Sequence, residues 1–191
     1  MKKLFAAACM LLALAGCAEK KLEFTNTDLT GLDYAKGFAL NDHTGKPVTL
    51  ETYKGKVVVV FFGFTQCPDV CPTTMAEMSG VMKELGPQAD QVQVLFVTLD
   101  PERDTKELLA QYVPTFDSRF VGLYGDPARI MQTAKDFKVF YSKVPGKEPG
   151  SYTIDHTAGS YVFDKSGKIR LFLRHGQGPA PVVHDLKLLL S

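Results

Sequence analysis

The chain has 191 residues, with 22 Lys and Arg against 21 Asp and Glu, which gives a formal charge of +1. This length suits one domain with a full hydrophobic core, and no repeat or heptad pattern subdivides it. The near-neutral charge gives no basis for a nucleic-acid-binding surface, so no nucleic-acid partner is predicted.

Residues 1–16 have the pattern of a secretory signal. Lys2 and Lys3 precede an apolar stretch over residues 4–15, which is shorter than the roughly 20 residues that a membrane-spanning helix needs. Small residues then lead to Cys17. The arrangement resembles a bacterial lipoprotein signal, which implies that Cys17 is acylated and becomes the mature N-terminus. An ordinary signal peptide, in which this cysteine is incidental, is the alternative.

A lipid anchor would place the protein on the periplasmic face of the cell envelope. Several acyl chains, at about 0.8 kcal/mol per buried CH₂, hold a protein firmly on a membrane. Ala18, next to the acylated cysteine, favours the outer membrane over the inner one by resemblance to lipoprotein sorting in Gram-negative bacteria. Residues 17–35 are then predicted to form a lipidated tether, and residues 36–191 to form the folded domain.

The first predicted elements of the domain are a hairpin, a buried strand and a helix. Residues 38–40 and 48–50 flank a polar loop and predict the hairpin. Residues 57–62 are continuously apolar, as in a strand that is covered on both faces. Residues 72–85 follow as a helix that begins at a proline. Three methionines at helical spacing are predicted to lie in the core rather than at a metal: Met75, Met78 and Met82.

The second half of the domain continues the alternation of strands and helices. Asp104, with Glu107 three residues on, resembles a capping box and predicts a helix to about Tyr112. Residues 142–153 are rich in Lys, Gly and Pro and predict an exposed, mobile loop. The other predicted elements are strands over 92–99, 120–123, 160–163 and 168–173, and helices over 126–137 and 180–190. The order of elements indicates an α/β fold of thioredoxin type, with a mixed central sheet flanked by helices.

Cys67 and Cys71 lie in the loop between the apolar strand and the helix that follows it. Unpaired N–H groups and the positive end of the helix dipole stabilise a thiolate there, so we expect a lowered pKa for Cys71. Two thiols on one tight loop can converge on one soft metal ion. A structural disulfide is the alternative, but it would close a very small ring and constrain the unfolded chain little.

His156 comes shortly before the strand predicted over 160–163. A lone histidine is more often a hydrogen-bonded structural residue than a ligand. In thioredoxin-type folds, however, the loop at this position lies against the cysteine-bearing loop. Two thiols and one imidazole form a soft, low-coordinate donor set that suits Cu(I) better than any hard cation. Asp155 and Asp100 are predicted to support the ligands without binding the metal.

Three blocks of sequence, 61–72, 98–105 and 155–157, resemble the signature blocks of the Sco/SenC copper-chaperone family in order and spacing. The resemblance implies a thioredoxin-like fold in which Cys67, Cys71 and His156 bind one copper, as Cu(I) or Cu(II). It also implies delivery of that copper to a subunit of a respiratory cytochrome oxidase, with a periplasmic copper donor or a thioredoxin-like reductase as further partners. The family is usually held by an N-terminal transmembrane helix, from which this lipoprotein-type signal departs.

A thiol–disulfide oxidoreductase that reduces the cysteines of a cuproprotein or another envelope protein is the alternative to a metallochaperone. Copper transfer and thiol exchange both need accessible thiolates. The two hypotheses differ in the role of His156, which is required for copper binding but not for dithiol exchange. Under the chaperone hypothesis the protein is not an enzyme. This hypothesis further predicts that oxidation to a Cys67–Cys71 disulfide expels the metal. It also predicts that residues 142–153 become ordered when His156 binds copper.

Overall fold

The computed structural model describes residues 22–191. The predicted signal peptide, the acylation site Cys17 and the first residues of the tether lie outside the described residues. Within the described part, no helix combines the length and the apolar character needed to cross a bilayer.

A mixed sheet of eight strands forms the centre of the domain, in the spatial order β1-β10-β9-β4-β5-β6-β2-β3. The central strands β4, β5 and β6 are parallel to one another, whereas β9 runs antiparallel to β4. A separate two-stranded sheet consists of β7 and β8. The strands are β1 (Thr27–Asp28), β2 (Ala39–Asp42), β3 (Pro47–Thr49), β4 (Val57–Gly63), β5 (Val92–Thr98), β6 (Val121–Tyr124), β7 (Tyr141–Pro145), β8 (Tyr152–His156), β9 (Gly159–Phe163) and β10 (Ile169–Arg174).

Helices cover both faces of the sheet, which confirms the predicted fold class. They are α1 (Val70–Leu85), α2 (Lys106–Tyr112), α3 (Pro127–Asp136) and α4 (Pro179–Leu190). Residues of α1, α2 and α4 pack on the face that carries Val57, Val59 and Phe61, and α3 packs on the opposite face. Since successive side chains of a strand point to opposite faces, the continuously apolar β4 contributes to both cores. The three methionines of α1 are buried in the first core, as predicted.

Two predicted helix starts differ from the structure. Helix α1 begins at Val70 rather than at Pro72, so Cys71 lies within its first turn. Helix α2 begins at Lys106, with Thr105 as the N-cap residue accepting from the Leu108 N–H at 3.2 Å. The predicted capping role of Asp104 is therefore wrong. That aspartate is buried, and its carboxylate is occupied elsewhere.

Residues 142–153 are a β-hairpin rather than a long loop. Strands β7 and β8 pair from Tyr141 opposite His156 to Pro145 opposite Tyr152. Only residues 146–151 form the turn, which explains the Gly, Pro and Lys that indicated a loop. The hairpin leaves His156 at the end of a strand, and a strand holds a side chain in a more defined position than a loop does.

The N-terminal segment joins the fold earlier than the predicted domain boundary at residue 36. Strand β1 pairs with the edge strand β10. The buried carboxylate of Asp185 on α4 accepts hydrogen bonds from the backbone N–H groups of Thr25 and Asn26, at 2.9 and 2.8 Å. The described segment assigned to the tether is thus attached to the domain, and Asn26, Leu29 and Ala35 within it are buried.

Candidate metal centre

Three elements converge at the carboxyl end of β4. The loop after β4 carries Cys67, the first turn of α1 carries Cys71, and the last residue of β8 is His156. One sulfur or nitrogen atom from each lies within 4.8 Å of the others. The Cys71 Sγ is 3.7 Å from the His156 Nε2, and both cysteines are free thiols. Within residues 22–191 this is the one group of three His, Cys, Asp or Glu side chains spaced for a metal ion.

Gly63, the last residue of β4, makes room for the Cys71 sulfur. A Cβ atom at position 63 would lie 2.8 Å from Cys71 Sγ, 2.9 Å from the Phe61 ring and 3.0 Å from the Phe96 ring. Real Cβ atoms do not approach neighbours this closely. The buried thiol therefore lies in a space that only glycine leaves open.

The pKa of Cys71 is raised, contrary to the expectation of a thiolate stabilised by the helix. Burial of the thiol is the main cause, and its hydrogen bond with Cys67 adds to it. The Cys71 sulfur is buried in the core beside Gly63. The unpaired N–H of the first helical turn is instead directed at Cys67, with 3.4 Å between Cys71 N and Cys67 Sγ. The helix end thus faces the outer of the two sulfurs.

His156 presents a neutral imidazole nitrogen to the sulfurs. Burial lowers its pKa, so the ring is uncharged near pH 7. Nδ1 lies 3.0 Å from the Thr157 carbonyl oxygen, which can only accept, so the proton resides on Nδ1. Nε2 then keeps its lone pair on the side of Cys71. Phe61 and Phe64 contact the ring edge-on, at 6.3 and 6.1 Å between centroids.

The orienting contact predicted for Asp155 is made by the Thr157 carbonyl instead. Asp155 is exposed, and its charge only partly counteracts the effect of burial on the pKa of His156. Neighbouring residues of a strand point to opposite faces, which separates the Asp155 carboxylate from the imidazole of His156.

Asp100 supports the hairpin that carries His156 rather than contacting a ligand. The Tyr152 hydroxyl on β8 donates to its buried carboxylate at 2.8 Å, and Arg103 forms an ion pair with it. Arg103 also donates to the Tyr152 carbonyl at 2.9 Å, and its guanidinium lies 3.7 Å from the centre of the Tyr152 ring. Neither Arg103 nor Tyr152 was singled out from the sequence, although Arg103 falls within the 98–105 block.

Asp104 performs a similar role for the cysteine loop. Its carboxylate accepts from the Thr65 hydroxyl at 2.6 Å, from the Thr65 N–H at 3.0 Å and from the Thr98 hydroxyl at 2.6 Å. These bonds attach the start of the loop to the end of β5. Burial raises the pKa of Asp104 even though these hydrogen bonds favour its charged form.

The other three histidines have hydrogen-bonding partners away from the cysteines. The His43 Nδ1 accepts from the Gly122 N–H at 2.9 Å. The His175 Nδ1 lies 2.9 Å from the Thr74 hydroxyl, and the His184 Nδ1 lies 2.8 Å from the Asp185 carboxylate. None of the three belongs to the group that the two cysteines form with His156.

Comparison with known proteins finds one family throughout the domain. The family model described as SCO1/SenC matches residues 26–191. The mitochondrial SCO2 homolog of Danio rerio is 40% identical over 132 residues, which cover 68% of this chain and 47% of that protein. The chain spans about half the length of this protein and of its human and bovine relatives.

Two solved structures show the same fold. Bradyrhizobium japonicum ScoI with copper bound is 42% identical, with a TM-score of 0.74 over 80% of this chain and 97% of that one. A SCO1/SenC family lipoprotein from Bacillus anthracis is 28% identical, with a TM-score of 0.70 over 81% of this chain and 94% of that one.

Proposed function

Because this chain belongs to the SCO1/SenC family, we propose that it is a copper chaperone that serves a respiratory cytochrome oxidase. Cys67 and Cys71 supply the thiolate ligands, and His156 supplies the nitrogen ligand to one copper ion. The ion is cargo that passes to a copper-receiving subunit of the oxidase. A periplasmic copper donor would supply the next ion, and a thioredoxin-like reductase would return a Cys67–Cys71 disulfide to the two thiols that bind it.

The convergence of two sulfurs and one imidazole nitrogen within 4.8 Å carries this proposal. Soft thiolates with a single imidazole match the preference of Cu(I), which accepts three ligands. The half-buried Cys67 lies at the mouth of the site, whereas Cys71 is fully buried. A partner's thiol can therefore approach the ion from the Cys67 side and replace the ligands one at a time. Cu(II) is the second oxidation state that the family resemblance implies.

Thiol–disulfide exchange is the second candidate function, because the same pair of free thiols is close enough to close a disulfide after a small movement. Oxidation would convert both thiolate ligands to disulfide sulfurs and release the metal. The exchange reaction uses only the cysteines, whereas copper binding also uses His156. Substitution of that histidine therefore separates the two functions.

The proposal is tested by anaerobic Cu(I) titration, against a competing chelator, of the reduced full-length protein in detergent. We expect one tight Cu(I) per chain, and we expect His156→Ala to weaken binding at least tenfold, about 1.4 kcal/mol. His175→Ala is the matched control, because that imidazole is hydrogen-bonded to Thr74 rather than facing the sulfurs. Equally weak binding by the wild type and His156→Ala would leave the cysteines as a redox pair.

Cu(I) affinity is also expected to rise with pH. The raised pKa of Cys71 keeps it protonated at neutral pH, so binding as a thiolate must release its proton. His156, with its lowered pKa, is already neutral and releases none. Each proton released makes affinity rise tenfold per pH unit, so we expect at least that slope between about pH 6.5 and 8.5. A pH-independent affinity over that range would contradict a buried thiol ligand.

The proposed function includes anchoring to the membrane through acylated Cys17 at the periplasmic face of the envelope. The lipoprotein-type signal supports this, and Ala18 supports the outer membrane. Metabolic labelling with a fatty-acid analogue is expected to mark the wild type and the Cys9→Ser control. Cys17→Ser should lose the label and leave the membrane fraction on detergent-free extraction. Label retained by Cys17→Ser would contradict the anchor.

A further inference from the structure

The metal centre lies at one end of the central sheet, the carboxyl end of β4. Strand β9 runs antiparallel to β4, and Phe163 at its end pairs with Val58 near the start of β4. Residues 164–170, which form the next turn and the start of β10, therefore begin at the opposite end of the sheet. The Gly55 N–H donates to a carbonyl of this turn at 2.9 Å, so residues 51–56 lie beside it. We call these two segments the basal end of the domain.

The described chain starts at the basal end. Leu22 is the first described residue, and it lines a surface groove together with Lys168 of the turn and Leu189 of α4. Helix α4 ends at the same place, because the Lys165 ammonium donates to the Leu190 carbonyl at 2.6 Å. The point at which the N-terminal segment joins the fold is therefore on the side away from the metal centre.

The predicted lipid anchor is close to this point in the sequence. Cys17 precedes Leu22 by five residues, which span at most about 18 Å when fully extended. An acylated Cys17 therefore keeps the basal end near the bilayer surface. Strand β4 has seven residues, so at about 3.3 Å per residue the metal centre is about 20 Å from the basal end. A tether of this length still lets the domain tilt, and the charges at its two ends decide the orientation.

The basal end carries an excess of positive charge. It contains five basic and two acidic side chains. Both acidic groups form ion pairs with basic neighbours of the basal end, each at 3.2 Å. Residues 20–28 add no net charge, since they contain two lysines and two acidic residues. Three basal lysines have no ion pair within the described part of the chain: Lys56, Lys165 and Lys168.

The surface beside the metal centre carries the opposite charge. Asp69 and Asp155 are exposed there, and neither forms an ion pair with a Lys or Arg of residues 22–191. Lys143, on the same hairpin as Asp155, pairs with Glu102 at 2.7 Å instead. A layer of anionic headgroups therefore attracts the basal end and repels the end that carries the metal centre.

We propose that the basal end lies on a bilayer of anionic phospholipid and that the metal centre faces away from this membrane. The proposal rests on the lipid anchor of the proposed function, and it specifies how the anchored domain is oriented. Clusters of basic residues next to a membrane anchor bind anionic headgroups. An acyl anchor combined with a basic patch holds a protein on a membrane more stably than one acyl chain alone. A copper-exchanging partner then reaches the metal centre from the aqueous side.

The test measures lysine reactivity in the acylated full-length protein on vesicles of phosphatidylglycerol and phosphatidylethanolamine. Brief acetylation, read by mass spectrometry, compares each lysine with the same protein in non-ionic detergent. We expect Lys56, Lys165 and Lys168 to react at least threefold more slowly on the vesicles. Lys106 follows the carboxyl end of β5 at the start of α2, and its reactivity should change less than 1.5-fold. Equal protection of Lys106 and Lys168 would overturn the orientation.

The role of charge is tested by the protection that remains at Lys165. Lys56→Gln combined with Lys168→Gln should remove most of it, as should phosphatidylcholine in place of phosphatidylglycerol. Lys106→Gln combined with Lys147→Gln removes the same charge outside the basal end and should leave the protection of Lys165 unchanged. Equal protection on phosphatidylcholine vesicles, or equal loss in the two double variants, would overturn binding of headgroups by the basal lysines.

Flotation of the vesicles separates failure of this proposal from failure of the anchor. Protein that does not float with the vesicles would overturn the anchor and the orientation with it. Protein that floats while its basal lysines keep the reactivity seen in detergent would overturn the orientation alone. Neither measurement involves copper, so the Cu(I) titration decides the chaperone function separately.

Discussion

Cys71→Ala is expected to lower the Cu(I) affinity of the reduced protein at least a hundredfold, about 2.8 kcal/mol. The substitution removes an anionic ligand, and its effect should exceed that of losing the neutral imidazole of His156. Cys71 is also the ligand that the fold places most firmly, because its sulfur is fully buried between Gly63 and the first turn of α1. The measurement is the anaerobic chelator competition used for the wild type.

Met75→Leu is the matched control for this substitution. Met75 is buried on the same helix, one turn beyond Cys71, and packs in the core with it. Exchange of methionine for leucine conserves volume and usually costs less than about 1.5 kcal/mol of stability. Copper affinity should stay within twofold of the wild type. Wild-type affinity for Cys71→Ala would mean that Cys71 is not a ligand, and a large loss for Met75→Leu would mean that core packing, rather than a lost ligand, explains the effect of Cys71→Ala.

Gly63→Ala is expected to lower the free energy of unfolding by about 1–3 kcal/mol, the usual cost of overpacking a core. The added methyl group would lie within 3.0 Å of Cys71 Sγ and the rings of Phe61 and Phe96. These neighbours are fully buried and cannot move aside without displacing others. The Cys71 sulfur must therefore shift, so weaker Cu(I) binding should accompany the loss of stability. Urea denaturation and the Cu(I) titration measure the two effects.

Gly80→Ala shows what the same methyl group does where space is available. Gly80 lies in the interior of α1, and a Cβ atom there meets nothing within 4 Å. Alanine is favoured over glycine inside a helix by about 1 kcal/mol, so this variant should be more stable than the wild type. If Gly63→Ala were as stable as Gly80→Ala, the close packing of Cys71 against β4 would be disproved.

Cys71→Ala and Gly63→Ala both test the packing of the Cys71 sulfur in the core. The first substitution removes the sulfur, and the second crowds it. The metal centre is built on the end of a buried strand, and the inner sulfur is part of the hydrophobic core. A ligand fixed by core packing has a defined position before the metal arrives, which reduces the entropy lost on binding. Stability of the core and affinity for copper are therefore expected to change together at positions that touch Cys71.

Much of the architecture could be predicted from local sequence patterns. The continuous apolar run became the doubly covered strand β4. The helix from Asp126 was also predicted correctly, since the Asp126 carboxylate accepts from the Arg129 N–H at 2.9 Å. Such signals involve residues close together in the chain and report local structure directly. The loop predicted over residues 142–153 was wrong, because the turn residues there hid the signal of two short strands that pair only with each other.

Long-range contacts decided the details that local patterns could not. Asp104 has the spacing of a helix cap, yet its carboxylate bonds Thr65, which is 39 residues away in the sequence. The N-terminal segment resembles a polar tether, yet Asp185, about 160 residues further on, binds its backbone. A buried acceptor needs hydrogen-bond donors, and the fold can bring these donors from any part of the chain.

The amino-acid sequence by itself determined the fold class, the two thiols on one loop and the candidate imidazole, because periodicity and residue chemistry are properties of the chain alone. Only the tertiary structure decided that Cys71 is the buried sulfur with a raised pKa and that the Thr157 carbonyl orients His156. It also placed Tyr152 and Arg103 at the base of the histidine hairpin. Burial and electrostatic environment depend on which distant segments surround a side chain, and that information exists only once the chain has folded.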